Sequence, residues 1–176
     1  MTLPAHVVIR EAVPNDAPST LKMMQRALTE PRNNYVSTPQ EFNYTDAQER
    51  EYIRQMQETP NTVMLVAVVE PSQAVIGLVS CSTEGRVARH HVVRLGITVD
   101  AQWRGRGIGS ALIEGVLLWA RHHPQVRRVE LEVFTRNVRA VALYLRMGFV
   151  VEGHFRQAIY KDGEYLDTYW MAWFKR

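Results

Sequence analysis

Residues 102–110 of this 176-residue chain are Gln102-Trp103-Arg104-Gly105-Arg106-Gly107-Ile108-Gly109-Ser110. An apolar run typical of a strand precedes them, and a run with helical spacing follows. Three glycines at alternate positions allow a sharp bend and remove the β-carbons that keep anions away from backbone amides. A helix that begins there adds unpaired N–H groups and the positive end of its dipole. The stretch therefore predicts a phosphate-binding turn, with Arg104 and Arg106 as cationic donors.

Two well-known phosphate-binding loops fit this stretch poorly. A Walker A loop needs a lysine after its last glycine, and no lysine follows here. A dinucleotide-binding loop follows the first strand of a βαβ unit and precedes an acidic residue by about 20 positions. Here the loop lies past the middle of the chain, and Glu130, the nearest acid in a downstream strand-like run, comes too late. ATP and NAD are therefore disfavoured as ligands.

A third type of loop matches. Gln102-x-x-Gly105-x-Gly107, with the strand before it, resembles the acyl-CoA pyrophosphate loop of the GNAT superfamily of N-acetyltransferases, whose pattern is Gln/Arg-x-x-Gly-x-Gly/Ala. A second segment, Asn137-x-x-Ala140-x-x-x-Tyr144-x-x-x-Gly148-Phe149, resembles a later element of the same family. Because two independent motifs occur in the family's order, the chain is identified as a member of the GNAT superfamily over nearly its whole length.

The resemblance implies an α/β (α+β) fold in a single domain, residues 1–176. That fold has a mixed, mostly antiparallel central sheet of six to seven strands, with about four helices on both faces. The sequence pattern predicts a helix capped by Asn15 or Asp16 and a second helix that begins with a Thr45/Gln48 capping box. It predicts a tight hairpin at 161–163. Strands are predicted at 7–12, 62–69, 75–82, 91–99, 127–134, 150–160 and 164–174.

The resemblance also assigns a binding site for acetyl-CoA as co-substrate. The glycine turn would hold the pyrophosphate, and backbone amides of the strand before it would bind the pantetheine arm and the thioester carbonyl. The second motif would complete the site. The cofactor-binding residues are then Ile97, Thr98, Val99, Arg104, Gly105, Arg106, Gly107, Ile108, Gly109, Ser110, Asn137, Ala140 and Tyr144.

Two side chains are predicted to be catalytic. Tyr144 has a phenol with an ordinary pKa near ~10, so it is protonated at neutral pH and can donate to the departing thiolate. Glu132 is predicted to take the amine proton, directly or through water. Several alternatives for the base stay open, because nothing in the sequence separates them from Glu132. These are Glu130, His90, His91 and His154.

The function predicted is acetyl transfer from acetyl-CoA to the primary amine of a small molecule. The segments 91–100 and 160–167, together with Met171, resemble more narrowly the bacterial members that acetylate free L-amino acids. The amino-acid carboxylate would then need a cation, for which Arg86, Arg89 and Arg94 are candidates. A polyamine, an antibiotic or a protein N-terminus remains open as acceptor, and so does a non-catalytic CoA-binding or sensing module.

Charge is concentrated on the motif-bearing segment. Residues 101–150 contain eight arginines and three acidic residues, whereas the whole chain has a net charge of +3. This excess suits a polyanionic cofactor. The segment has no lysine, and aromatic residues do not alternate with its arginines, so a nucleic-acid partner is not predicted.

Composition bounds the remaining partners and the compartment. The chain is 46% hydrophobic, no apolar run approaches the ~18 residues of a membrane helix, and the N-terminus lacks a signal-peptide pattern. The single cysteine, Cys81, fits a reducing cytoplasm and is predicted to be buried. No metal is predicted, because the pairs at 90–91 and 122–123 lack clustered ligands. We therefore expect a cytoplasmic enzyme without membrane contact, with a homodimer as the expected assembly.

Overall fold

The computed structural model describes residues 3–176, which form seven strands and four α-helices. The strands are β1 Val7–Glu11, β2 Val63–Val69, β3 Ala74–Ser82, β4 Val92–Val99, β5 Arg128–Phe134, β6 Val150–Lys161 and β7 Glu164–Phe174. The helices are α1 Ala17–Thr29, α2 Asp46–Glu58, α3 Ile108–His122 and α4 Val138–Arg146. Each predicted strand is present, with ends that differ by a residue or so.

All strands lie in one sheet, in the order β1-β2-β3-β4-β5-β7-β6. Every neighbouring pair is antiparallel except β4 and β5, which are parallel. Strand β2 shows how both faces are covered. Its odd-numbered residues pack in one cluster with α3, whereas Met64, Val66 and Val68 pack with residues of α1 and α2. The predicted fold class, a mostly antiparallel sheet with helices on both faces, is confirmed.

Two local predictions hold and one needs correction. The Thr45 hydroxyl accepts a hydrogen bond from the Gln48 N–H (3.3 Å), and the Gln48 side chain accepts one from the Thr45 N–H (2.9 Å). At the predicted hairpin, Asp162 and Gly163 have φ of 53° and 80°, as in a type I′ turn. Asp16 does occupy the N-cap position of α1 but does not cap it, because its carboxylate binds the Arg10 guanidinium at 2.7 and 2.8 Å.

The parallel strands β4 and β5 separate after a short paired region. Their pairing covers Val92–Arg94 and Arg128–Glu130, and within residues 3–176 it does not continue beyond these. Strand β4 nevertheless stays paired with β3 as far as Val99, and β5 stays paired with β7 as far as Phe134. The carboxyl ends of the two strands therefore diverge, and the edge of β4 that faces this opening lacks a strand partner.

Candidate active site

The glycine turn leaves backbone donors exposed at the start of α3. Gly105 and Gly107 have φ of +77° and +82°, a left-handed conformation that favours glycine. Gly107 is the N-cap and has no side chain to cap the helix. The first helical hydrogen bond runs from the Ala111 N–H to the Gly107 carbonyl (3.0 Å). The N–H groups of Ile108, Gly109 and Ser110 precede that bond, so they point out of the helix end as an anion-binding group requires.

The two arginines of the turn have different surroundings. Arg104 binds both carboxylate oxygens of Glu30 at 2.6 and 2.9 Å and donates to the Val99 carbonyl (3.0 Å), so it ties the turn to the end of α1. Arg106 lies with its guanidinium 5.0 Å from the Trp103 ring centre and is exposed. Arg106 is therefore the better placed of the two to meet a phosphate.

The first turn of α3 also brings the second motif to this place. A β-carbon on Gly109 would lie 3.4 Å from the Leu143 side chain of α4 and 3.8 Å from the Val99 side chain of β4. These are ordinary van der Waals distances, so the start of α3 packs directly against both elements. The glycine turn, the end of β4 and the face of α4 are consequently neighbours, although 30 or more positions separate the motifs in the chain.

Both ends of α4 are held by recognisable caps. The Asn137 side chain accepts a hydrogen bond from the Ala140 N–H (3.4 Å) and so caps the start of the helix. At the other end, the Phe149 N–H bonds to the Tyr144 carbonyl (3.0 Å) and Gly148 adopts φ of +89°, a Schellman arrangement. These caps fix the helix that carries Tyr144.

Tyr144 is buried, and its ring centre lies 5.7 Å from that of Phe149. Burial raises the pKa of its hydroxyl far above the ordinary value, and the nearby Tyr35 adds to the rise. The hydroxyl is therefore neutral throughout the physiological range. A neutral phenol in this place is a proton donor, and it does not serve as a base.

Tyr35, which the sequence reasoning missed, lies in the same region. It belongs to the segment between α1 and α2, and its hydroxyl lies near Thr98 and Arg104. Burial raises the pKa of Tyr35, and the nearby Thr98 hydroxyl and Arg104 cation oppose the rise. Lys161 holds this segment by donating to the Asn33 side chain (2.6 Å) and to the Tyr35 carbonyl (2.5 Å). The only sequence signal was an aromatic residue within a polar loop.

The opposite face of the sheet carries the predicted acids, and both are already bonded. Glu130 is buried and accepts from Arg89 (2.6 Å) and Arg128 (2.9 Å), one at each oxygen. Glu132 accepts from Arg94 (3.0 Å) and from the Thr168 hydroxyl (2.8 Å), again one at each oxygen. Arg94 also lies 4.8 Å from the Trp170 ring centre. To act as a base, either carboxylate would have to release a bonded donor.

A family model for the acetyltransferase (GNAT) family matches residues 24–149, a range that includes the glycine turn, the β4–β5 opening and α4. The chain belongs to the GNAT acetyltransferase family. It is an acetyltransferase, and acetyl-CoA is the acetyl donor that this family uses. The predicted family, fold and enzyme class are confirmed.

Relatives of this GNAT acetyltransferase have been named for different acceptors. The L-amino acid N-acetyltransferase AaaT of Escherichia coli is 35% identical over 113 residues, which cover 64% of this chain and 68% of that protein. The spermidine N(1)-acetyltransferase of Vibrio cholerae is 30% identical over 102 residues, which cover 57% of this chain and 58% of that protein.

Solved structures match along almost the whole GNAT chain. A GNAT-family acetyltransferase from Streptococcus pneumoniae has a TM-score of 0.90 at 27% identity, over 97% of this chain and 99% of that one. A proposed acetyltransferase from Salmonella typhimurium, yncA, solved with its cofactor acetyl-CoA, has a TM-score of 0.85 over 98% of this chain and 95% of that one. At 18% identity the latter shows the shared fold alone.

The histidine alternatives for the base lie at the edges of this GNAT site. His90 and His91 precede β4, eight or more residues before Val99 and thus roughly 25 Å away along the strand. His154 bonds Asp167 (2.8 Å) on the β6–β7 hairpin. Among residues 3–176 there is no group of three His, Cys, Asp or Glu side chains that would hold a metal. The absence of a metal stays a prediction.

The three arginines considered as partners for an acceptor carboxylate have different surroundings. Arg89 binds both Glu84 and Glu130, and Arg86 lies on the exposed turn before β4. Arg94 alone of the three lies on β4 beside the opening.

Cys81 is buried as predicted, and burial raises the pKa of its thiol. In the described part of the chain, no helix is long and apolar enough to cross a membrane.

Proposed function

We propose that this enzyme transfers the acetyl group of acetyl-CoA to the primary amine of a small molecule, with free L-amino acids as the acceptor class. The observation that carries the proposal is the β4–β5 opening. One side of it presents the exposed N–H groups of the glycine turn and the protonated Tyr144. The other side presents the cation of Arg94. Donor and acceptor can therefore meet in the gap between the strands.

In this proposal the cofactor lies along the α3 side of the opening. The N–H groups of Ile108, Gly109 and Ser110, with Arg106, bind the pyrophosphate, while Gly105 and Gly107 supply the bend and Arg104 braces it through Glu30. The unpaired edge of β4 at Ile97, Thr98 and Val99 offers its backbone to the pantetheine arm. Asn137, Ala140 and Tyr144 line the same side from α4.

The chemistry then proceeds by direct attack. The neutral amine attacks the thioester carbonyl carbon, and donors at the edge of β4 stabilise the charge that develops on oxygen. The carbon–sulfur bond breaks, and the sulfur takes the Tyr144 hydroxyl proton. The proton that the nitrogen loses as the amide forms restores the Tyr144 hydroxyl. Glu132 was the base predicted from the sequence, and in that role it would first give up its bond to Arg94 or Thr168.

Arg94 supports an acceptor that carries a carboxylate. Its guanidinium is partly exposed and is oriented by Glu132 and Trp170, so a carboxylate can approach it. The similarity to the E. coli L-amino acid N-acetyltransferase supports the same class. The spermidine-acetylating relative favours a polyamine instead, but a fixed cation in the cleft would repel one.

The proposal extends to the whole molecule. A single domain over residues 1–176 is supported by solved relatives that align with 97% of the chain. A homodimer is supported by the edge strand β6, where Val150, Val151, Phe155 and Tyr160 are exposed. Action in the cytoplasm, without nucleic acid or membrane as partner, agrees with the single unpaired cysteine.

A thiol-release assay with acetyl-CoA tests the function. The acceptor panel contains L-amino acids, the amines that lack only their carboxylate, and spermidine. We expect kcat/KM to be highest for L-amino acids. A panel in which spermidine or the simple amines react best would contradict the acceptor class, and acetyl-CoA binding without transfer to any amine would leave a non-catalytic binding module.

A further inference from the structure

Glu49 is a buried carboxylate without a bonded donor. It lies in the first turn of α2 and faces inward with Ile53 and Met56, with only 5% of its surface exposed. Buried carboxylates in proteins are normally paired with a cation or several donors. In residues 3–176 no ion pair and no side-chain hydrogen bond reaches Glu49, and burial alone raises the pKa of its carboxyl. Such a group costs stability, which is typical of a functional position.

The neighbours of Glu49 lie toward strand β3. Tyr52, one turn further along α2, is close enough for the charge of Glu49 to raise the pKa of Tyr52, although burial raises it more. The Tyr52 hydroxyl lies near Ser80 on β3. Ser80 lies opposite Gly96 of β4, where a β-carbon would be 3.7 Å from the Ser80 hydroxyl.

Gly96 connects this group to the acceptor side of the site. It lies two residues beyond Arg94, the last residue of β4 that pairs with β5, and side chains two apart on a strand share a face. Glu49, Tyr52 and Ser80 therefore line the face of the sheet that carries Arg94 and Glu132. Because Gly96 has no side chain, space is left between the first three of these residues and the last two.

The acceptor amine needs a group that removes its proton, and the Glu49 carboxylate is such a group. A primary amine is an ammonium ion at neutral pH, and it must lose a proton before it can attack a thioester. Glu130 and Glu132 each have both oxygens occupied by donors, whereas Glu49 does not. A carboxylate without a cation partner attracts an ammonium ion, and a carboxylate in an apolar place is a stronger proton acceptor than one in water.

We propose that Glu49 binds the ammonium group of the acceptor and takes its proton, while Arg94 binds the carboxylate at the other end of the same molecule. One proton moves from the ammonium nitrogen to a Glu49 oxygen, and the freed lone pair forms the bond to the acetyl carbon. When the carbon–sulfur bond breaks, the thiolate takes the Tyr144 hydroxyl proton, and the second proton that the nitrogen loses on becoming an amide restores the Tyr144 hydroxyl. This assignment rests on the proposed function, and it leaves Glu132 to orient Arg94.

The substitution Glu49→Gln keeps the size of the side chain and removes its charge. We expect kcat/KM for the best L-amino acid to fall ~10²–10⁴-fold, the range for a lost general base, while KM for acetyl-CoA stays within twofold. Glu49→Asp keeps the charge and should retain part of the activity. Glu51→Gln on the same helix removes an exposed carboxylate and should leave both constants unchanged.

Thermal unfolding separates a binding role from a structural one. Because an unpaired buried carboxylate destabilises the fold, Glu49→Gln should melt at the wild-type temperature or above it. A clearly lower melting temperature, or an unchanged kcat/KM in an active enzyme, would overturn the role of Glu49 and leave the proposed function standing. If the wild type acetylates no amine in the panel, the proposed function fails and the role of Glu49 fails with it.

Discussion

The two sides of the β4–β5 opening use different parts of the polypeptide: backbone N–H groups on one side and side chains on the other. On the α3 side, one stretch of nine residues presents consecutive backbone N–H groups at a helix end. On the proposed acceptor side, the candidate groups are side chains on separate elements: Tyr35, Glu49, Arg94, Glu132 and Trp170. A site made of backbone needs one local motif, whereas a site made of side chains needs the whole fold to assemble it.

The largest expected effect tests the backbone-made side. Gly107→Val places a branched side chain at φ of +82°, next to the exposed N–H groups. We expect acetyl-CoA to lose its ability to raise the melting temperature, an effect of ~2.7 kcal/mol for the wild type at a hundredfold excess over Kd. NAD and ATP should give no such rise in the wild type. The strain, roughly 1–2 kcal/mol, should leave the domain folded.

Gly85→Val is the matched control for that substitution. Gly85 also has a positive φ, of +73°, but lies in open space away from α3. It should lose similar stability and keep acetyl-CoA binding. Normal binding by Gly107→Val would mean that the glycine turn does not hold the pyrophosphate.

The next effect concerns the Tyr144 hydroxyl on α4, the proposed proton donor. Tyr144→Phe keeps the ring and its packing on Phe149, so stability and acetyl-CoA affinity should change little. We expect kcat to fall by ~10²–10⁴, since the thiolate loses its proton donor. Tyr160→Phe, at an exposed position on β6, is the control. Full kcat in Tyr144→Phe would show that another group donates the proton to the thiolate.

The pH dependence of the wild type follows from the same burial. Burial raises the pKa of Tyr144, so the acid form persists to higher pH than for a phenol in water. The kcat of the wild type should therefore show no loss through this group up to about pH 10, the ordinary range for tyrosine. A fall in kcat centred below that value, absent from Tyr144→Phe, would contradict the raised pKa.

A smaller effect is expected from a substitution on the side of the opening where the functional groups are side chains. Arg94→Gln should raise KM for L-amino acids by roughly 10- to 100-fold and change KM for the matching carboxylate-free amines little, because only the former lose a charge-assisted hydrogen bond. Arg86→Gln, on the exposed turn before β4, serves as control. An equal change for both kinds of acceptor would assign Arg94 a structural role.

The smallest effect separates the two arginines of the glycine turn. Arg106→Gln should weaken acetyl-CoA binding by a few-fold, as expected for one exposed charge, whereas Arg104→Gln should mainly loosen the turn from Glu30. Acetyl-CoA titrations and melting temperatures of both variants measure the difference. A stronger binding defect in Arg104→Gln would show that this residue leaves Glu30 to bind phosphate.

Much of the fold was predictable because its signals are local. The Thr45/Gln48 box, the Asp162-Gly163 turn and the alternating strands each depend on residues that are neighbours in the chain. The one cap that was predicted wrongly, at Asp16, failed because its carboxylate is already bonded to residues before the helix. It accepts from the Arg10 guanidinium of β1 and from the Val13 N–H.

The sequence by itself determined the glycine turn, the order of helices and strands, and the Thr45/Gln48 capping box. These features depend on backbone conformation and residue spacing, which are determined by residues that are close together in the sequence. Only the tertiary structure decided where β4 and β5 separate, that Glu130 and Glu132 are already bonded, and that Glu49 is buried. The pairing and burial of a charge depend on residues that are distant in the chain, so only the packed fold assigns them.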